Sequence, residues 1–80
     1  MIKLNVFTQH TAEHGNRCVF SGEVPIMPRK GESICIDDSG ILFLVSSVSH
    51  DFYQGISDVR IQVNNSDFEF LPEIKISDMM

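Results

Sequence analysis

The sequence is short of positive charge. Six Lys and Arg residues stand against 11 Asp and Glu in 80 residues, a formal charge of −5. The basic residues are scattered, and only Arg29 and Lys30 are adjacent. Non-specific binding to DNA or RNA relies on clustered cations that displace counterions, so direct nucleic-acid binding is not expected. No apolar run approaches the roughly 20 residues of a membrane helix, so no membrane association is expected. The N-terminus, Met1-Ile2-Lys3-Leu4-Asn5, lacks the basic, apolar and small-residue regions of a signal peptide. The expected location is therefore cytoplasmic. Two cysteines, Cys18 and Cys35, fit that compartment as free thiols. Three prolines and five glycines are too few to suggest disorder. No phosphate-binding glycine pattern is present, no stretch sustains a helical period, and no repeat is visible.

What is present is a series of short apolar alternations. A chain of this length makes one domain and buries only about 60% of its unfolded surface. Residues 2–6 alternate apolar and polar, the mark of a half-buried strand. In residues 17–26, Cys18, Phe20, Gly22, Val24 and Ile26 share a face, and Gly22 suggests a bulge or bend. The stretch 24–50 organises the rest. Pro25 and Pro28 cannot donate ladder hydrogen bonds and bend the chain at a sheet edge. Residues 32–37 then read as a strand, with Ile34 and Ile36 inward and Cys35 on the other face. Asp37-Asp38-Ser39-Gly40 is turn chemistry, because Asp and Ser bond the local backbone and Gly accepts positive φ.

Residues 41–50 form a long strand whose register slips between Val45 and Val48. A bulge at Ser46-Ser47 would restore it and bend the strand. Residues 51–57 read as a hairpin loop with an aromatic tip. Val59, Ile61 and Val63 make the cleanest alternation. Residues 64–67 are a further turn, and 73–80 pair as a last edge strand through Ile74 and Ile76 or fray. The expected fold is all-β: a small, strongly bent antiparallel sheet of five to six strands closing into an SH3-like or OB-like barrel. Closure hides strand edges and buries more surface per residue.

The pattern Pro28-x-x-Gly31-Glu32-x-Ile34, then Phe43-x-Val45-x-x-Val48-x-His50, then Val59-x-Ile61-x-Val63 covers about the middle half of the chain. It resembles small, largely uncharacterised proteins of bacteria and their phages. Their outline runs Pro-x-x-Gly-Asp-x-Val, then Tyr-x-Val-x-x-Val-x-His, then an alternating strand. Here Glu32 stands for the usual acid and Phe43 for the usual tyrosine. The resemblance implies an SH3-like barrel of phage or prophage origin. It carries over no catalytic residue.

Candidate chemistry is sparse. His10-Thr11-Ala12-Glu13-His14 fits H-x-x-E-H, the pattern of one class of zinc peptidase. Gly15-Asn16 would stop such a helix at once, and those enzymes need a large scaffold and a third ligand. His10, His14 and Cys18 remain the candidates for a structural zinc; no metal and no cofactor are expected. Cys18 and Cys35 read as packing residues, since neither has the nearby cation that activates a thiolate. His50 and Asp51 read as a pair that ties a strand end to its loop. Asp37-Asp38 offers too few fixed oxygens for calcium.

The surface offers more. Leu42 and Leu44 face away from the expected interior, and Phe52, Tyr53 and Ile56 lie on the hairpin loop. Such residues mark a partner surface, unless the loop folds back to cap the barrel. The expected function is a non-enzymatic protein-interaction module, phage or prophage encoded, serving as a small structural or assembly component. Its partner is a protein, with a homo-oligomer as one option. One alternative is a phage inhibitor of a host defence complex, acting like an anti-CRISPR by protein binding. The other is a zinc-binding domain or small metalloenzyme using His10, His14 and Cys18. A small-ligand barrel is set aside because Ile, Val and Phe side chains should fill the interior.

Overall fold

The computed structural model describes residues 1–9 and 15–71. Its elements are β1 (Ile2–Thr8), β2 (Cys18–Val24), β3 (Ser33–Ile34), β4 (Phe43–Asp51), β5 (Ile56–Gln62) and the single-turn helix α1 (Asn65–Phe68). The five strands form one sheet in the order β2-β1-β5-β4-β3. The fold is all-β, a curled half-barrel. No helix among the described residues is long and apolar enough to cross a membrane.

Alternation dictates which side of each strand is buried. Leu4 and Val6 of β1, Phe43 and Val45 of β4, and Val59 and Ile61 of β5 point inward and are at most 3% exposed. Burial drives this arrangement at roughly 25 cal/mol per Å² of apolar surface. The bulge expected in β4 is present. Val45 pairs with Ile61 and Ser47 with Arg60, so Ser46 is the extra residue and Val48 returns to face Val59. Ser46 spends its hydroxyl on the carbonyl of Arg60 at 3.0 Å.

Elsewhere the structure departs from expectation. Three of the four strand pairings are antiparallel, but β1 and β5 run parallel, with Val6 opposite Val59. In the β1–β2 ladder, Val6 pairs with Phe20 and Phe7 with Cys18, which makes Val19 the extra residue. The bulge is there and not at Gly22, and it lets Cys18 and Val19 both be buried. Gly22 serves a different purpose. A Cβ on it would come 3.3 Å from Cζ of Phe20, so its bareness seats that ring.

The strand expected over 32–37 shrinks to Ser33–Ile34, paired with Leu44 and Phe43. The turn after it holds as expected, with the Ser39 amide donating to Asp37 Oδ1 at 2.9 Å and Gly40 at φ +80°. Residues 64–67 form the start of α1 instead of a plain turn. The Asn64 carbonyl accepts from the amides of Asp67 and Phe68 at 2.9 and 3.1 Å. Phe68 and Leu71, three positions apart, then drop into the core. The Arg17 guanidinium sits over the Phe68 ring and donates to the Leu71 carbonyl at 2.9 Å. The edge-strand expectation for 73–80 lies outside the described residues.

Candidate functional site

The β4–β5 hairpin closes with Asp51 opposite Ile56, leaving residues 52–55 as its loop. Asp51 organises that loop with three bonds. Its carbonyl accepts from the Gly55 amide at 2.9 Å. Its carboxylate Oδ1 accepts from the amides of Tyr53 at 3.0 Å and Gln54 at 3.2 Å. An Asp side chain bonding the backbone two residues on is the usual means of fixing such a turn. Gly55 completes it at φ +69°, a left-handed conformation that side chains disfavour.

With the backbone held, Phe52 and Tyr53 project outward at 93% and 101% exposure. The loop therefore does not fold back over the barrel. The Phe52 ring stacks on the His50 imidazole, with centroids 6.0 Å apart and planes 21° from parallel. His50 Nδ1 in turn lies 3.0 Å from Oγ of the buried Ser57. His50 and Asp51 thus secure the strand end separately, one through Ser57 and one through the loop amides. Ile56 is half-buried at the base of the hairpin, beside Lys3 of β1.

Leu42 and Leu44 are exposed, as expected, at 65% and 42%. They are not brought together with the aromatic tip. Leu44 and Asp51 are seven positions apart along β4, about 20 Å at ~3.3 Å per residue less the bulge. The stretch of β4 between them is polar, with Ser47 beside Arg60 and Ser49 beside Asp58 of β5. The five sequence-predicted partner residues therefore divide into a hairpin tip and a separate leucine pair.

Of the three metal candidates, the structure describes Cys18. His10 and His14 lie outside the described residues. Cys18 is fully buried and donates its thiol to the Phe20 carbonyl at 3.3 Å. Burial pushes its pKa up, against the pull of that hydrogen bond. It is the packing residue expected. Cys35 is not; it is exposed. Among the described residues, no group of three or more His, Cys, Asp or Glu side chains is placed to hold a metal.

One feature of the structure was not expected from the sequence. The curl brings β2 and the segment after β3 to face each other across an apolar groove of about 240 Å³. Leu4, Val6, Phe20, Val24, Ile34 and Ile36 line it, with Pro28 and Cys35 at its side. The core behind it is filled, and the groove runs along its edge. The sequence does carry a signal for it: Ile34 and Ile36 share a face with too little strand around them to be covered. Comparison with protein-family models, curated protein sequences and solved structures found no match for this chain.

Proposed function

We propose that this domain is a non-enzymatic protein-interaction module whose anchor is the Phe52–Tyr53 hairpin tip. The observation that carries this is the near-complete exposure of both rings on a backbone that Asp51 and Gly55 hold fixed. Leaving two aromatic rings in water forgoes their burial, so a partner that covers them gains it. An ordered loop also loses less entropy on binding than a floppy one. Each ring can bury about 150–250 Å², less than the ~800 Å² per partner of a standard interface. The tip is thus the hot spot of a larger contact, in keeping with the prominence of Tyr and other large aromatics at such positions.

The resemblance of the Pro28–Ile34 and Phe43–His50 patterns to small bacterial and phage proteins supports a phage or prophage structural or assembly role in the cytoplasm. The test is comparative capture from the native host, with the wild-type chain and the Tyr53→Ala variant as baits. A protein held by the first and lost by the second is then purified and titrated against both. Truncating a hot-spot aromatic costs about 2 kcal/mol or more, roughly a 30-fold loss of affinity. Equal affinity for both baits would remove the tip from the binding surface.

A further inference from the structure

The sheet has two edges, and they are protected differently. At one, β3 is two residues long, and β4 beyond it carries the bulge at Ser46. Short strands and bulges are usual protections of an exposed edge. At the other, β2 is seven residues long and, among the described residues, has β1 on one side and no strand on the other. Its protections stand at its ends: the bulge at Val19 and, just past Val24, Pro25. Residues 20–24 between them pair regularly with β1. In an antiparallel ladder, alternate residues turn their N–H and C=O groups away from the partner strand. The outer side of residues 20–24 therefore offers donors and acceptors to a further strand.

We infer that this edge pairs with β2 of a second copy of the chain. The two strands run antiparallel about a two-fold axis at Gly22 and join two five-stranded sheets into one.

The residues select that register. A two-fold axis perpendicular to the sheet keeps the inner faces of both copies on the same side, so it must pass between two copies of one residue. Centred on Gly22, Phe20 meets Val24 on the inner face and Ser21 meets Glu23 on the outer face, each pair twice. Phe20 and Val24 are half-buried, while Ser21 and Glu23 are exposed, so every pair matches in polarity. Glu23 also keeps Lys3 opposite it on β1. Centring on Glu23 would set two carboxylates against each other and bring Pro25, which has no N–H, opposite Ser21. Centring on Ser21 would bring Glu23 against the bulge at Val19. Gly22 suits the centre because the Phe20 ring already lies over it, 3.3 Å from where a Cβ would stand. An aromatic ring over a bare strand glycine shields that backbone.

Strand addition of this kind draws its affinity from main-chain hydrogen bonds. Five residues on each side make a small contact, in the class below ~1,200 Å², so the dimer is weak and reversible. Each copy carries a charge of −5, so repulsion opposes the pairing and salt that screens it strengthens the dimer.

Sedimentation velocity of the wild-type chain should show a monomer–dimer equilibrium that tightens with added salt. Amide exchange within residues 19–23 should slow as concentration rises. Ser21→Lys and Ser21→Glu both lose the bond from Ser21 to Asn5, yet they should act in opposite directions. Against Glu23 of the other copy, the lysine should tighten the dimer about two- to thirtyfold and the glutamate weaken it by a similar factor. In a Cys35→Ser background, which removes the exposed native thiol, mixed Ser21→Cys and Glu23→Cys chains should cross-link under mild oxidation faster than either alone. A wild-type chain still monomeric at about 1 mM overturns the pairing. So does a dimer on which Ser21→Lys and Ser21→Glu act alike, or one that cross-links fastest between two copies of one position. Tyr53→Ala should leave the dimer intact; a dimer that it dissolves would place the contact at the hairpin tip and overturn the pairing at β2.

Discussion

Replacing Asp51 by Ala should loosen the hairpin tip without touching either aromatic ring. The substitution removes the acceptor of the Tyr53 and Gln54 amides and leaves the backbone bond from Gly55 in place. Asp51 is exposed, so each lost bond is worth the low end of the ~0.5–1.5 kcal/mol usual for a protein hydrogen bond. The closest analogue, loss of a helix N-cap, typically costs about 1 kcal/mol. Together these give about 1 kcal/mol. Against a total stability of ~4–12 kcal/mol for a domain of this length, the fold survives. With a urea slope near ~1 kcal/mol/M, the unfolding midpoint should fall by about 1 M.

The local effect should be larger. Backbone order parameters from NMR relaxation at residues 52–54 should drop from about 0.85, typical of rigid backbone, to below ~0.6. Asp51→Asn keeps an acceptor oxygen and should show roughly half the stability loss. Partner affinity should fall for Asp51→Ala, though less than for Tyr53→Ala, because the rings remain and only their ordering is lost. An Asp51→Ala protein with unchanged midpoint and unchanged order parameters would refute the claim that this carboxylate holds the tip.

Further outcomes are expected at Ile61, at the two cysteines and at Asp37. Ile61, with no exposed surface, should cost about 2–5 kcal/mol when cut to Ala but only ~0.5–1.5 as Val, read by urea unfolding; near-equal losses would place it outside the core. A thiol reagent on the native protein should modify Cys35 at once and Cys18 only after denaturation. Burial raises the Cys18 pKa above its ordinary value of 9.0, so its contribution to stability is complete below that pH and is lost as pH rises through the raised folded value. Hydrogen bonds from Ser39 hold the Asp37 carboxyl below the usual carboxylate range, so its contribution is complete above about pH 4 and is lost as pH falls through the lowered value. Ser39→Ala should move the Asp37 titration, followed by NMR, back toward the ordinary range.

What can be read from the sequence is whatever is local. Alternation locates β1 and β5, the slip between Val45 and Val48 locates the bulge at Ser46, and Asp-Asp-Ser-Gly locates a turn. Pairing partners are not local, so nothing in residues 2–8 or 56–62 announces that β1 and β5 run parallel. The second bulge does leave a trace, since the consecutive residues Cys18 and Val19 are both apolar where strict alternation would separate them. Gly22, a residue type common at bulges, masks that trace. Helix α1 is a single turn, too short for any period to register; only the spacing of Phe68 and Leu71 points to it.

The site divides in the same way. Asp51 at one end of the loop and Gly55 at the other already describe a fixed turn, and the structure shows both in that use. Leu42 and Leu44 share exposure with Phe52 and Tyr53, and the length of β4 separates the two groups. The groove is hidden from the sequence for a related reason. Ile34 and Ile36 have the pattern of a strand that buries one face, and that pattern says an apolar side wants cover without saying what covers it. Among the described residues the sheet stops after five strands, Ser33–Ile34 is all of β3 that pairs, and no further strand completes the barrel. Among the described residues, Phe20, Val24, Ile34 and Ile36 therefore line a groove where a sixth strand would have covered them.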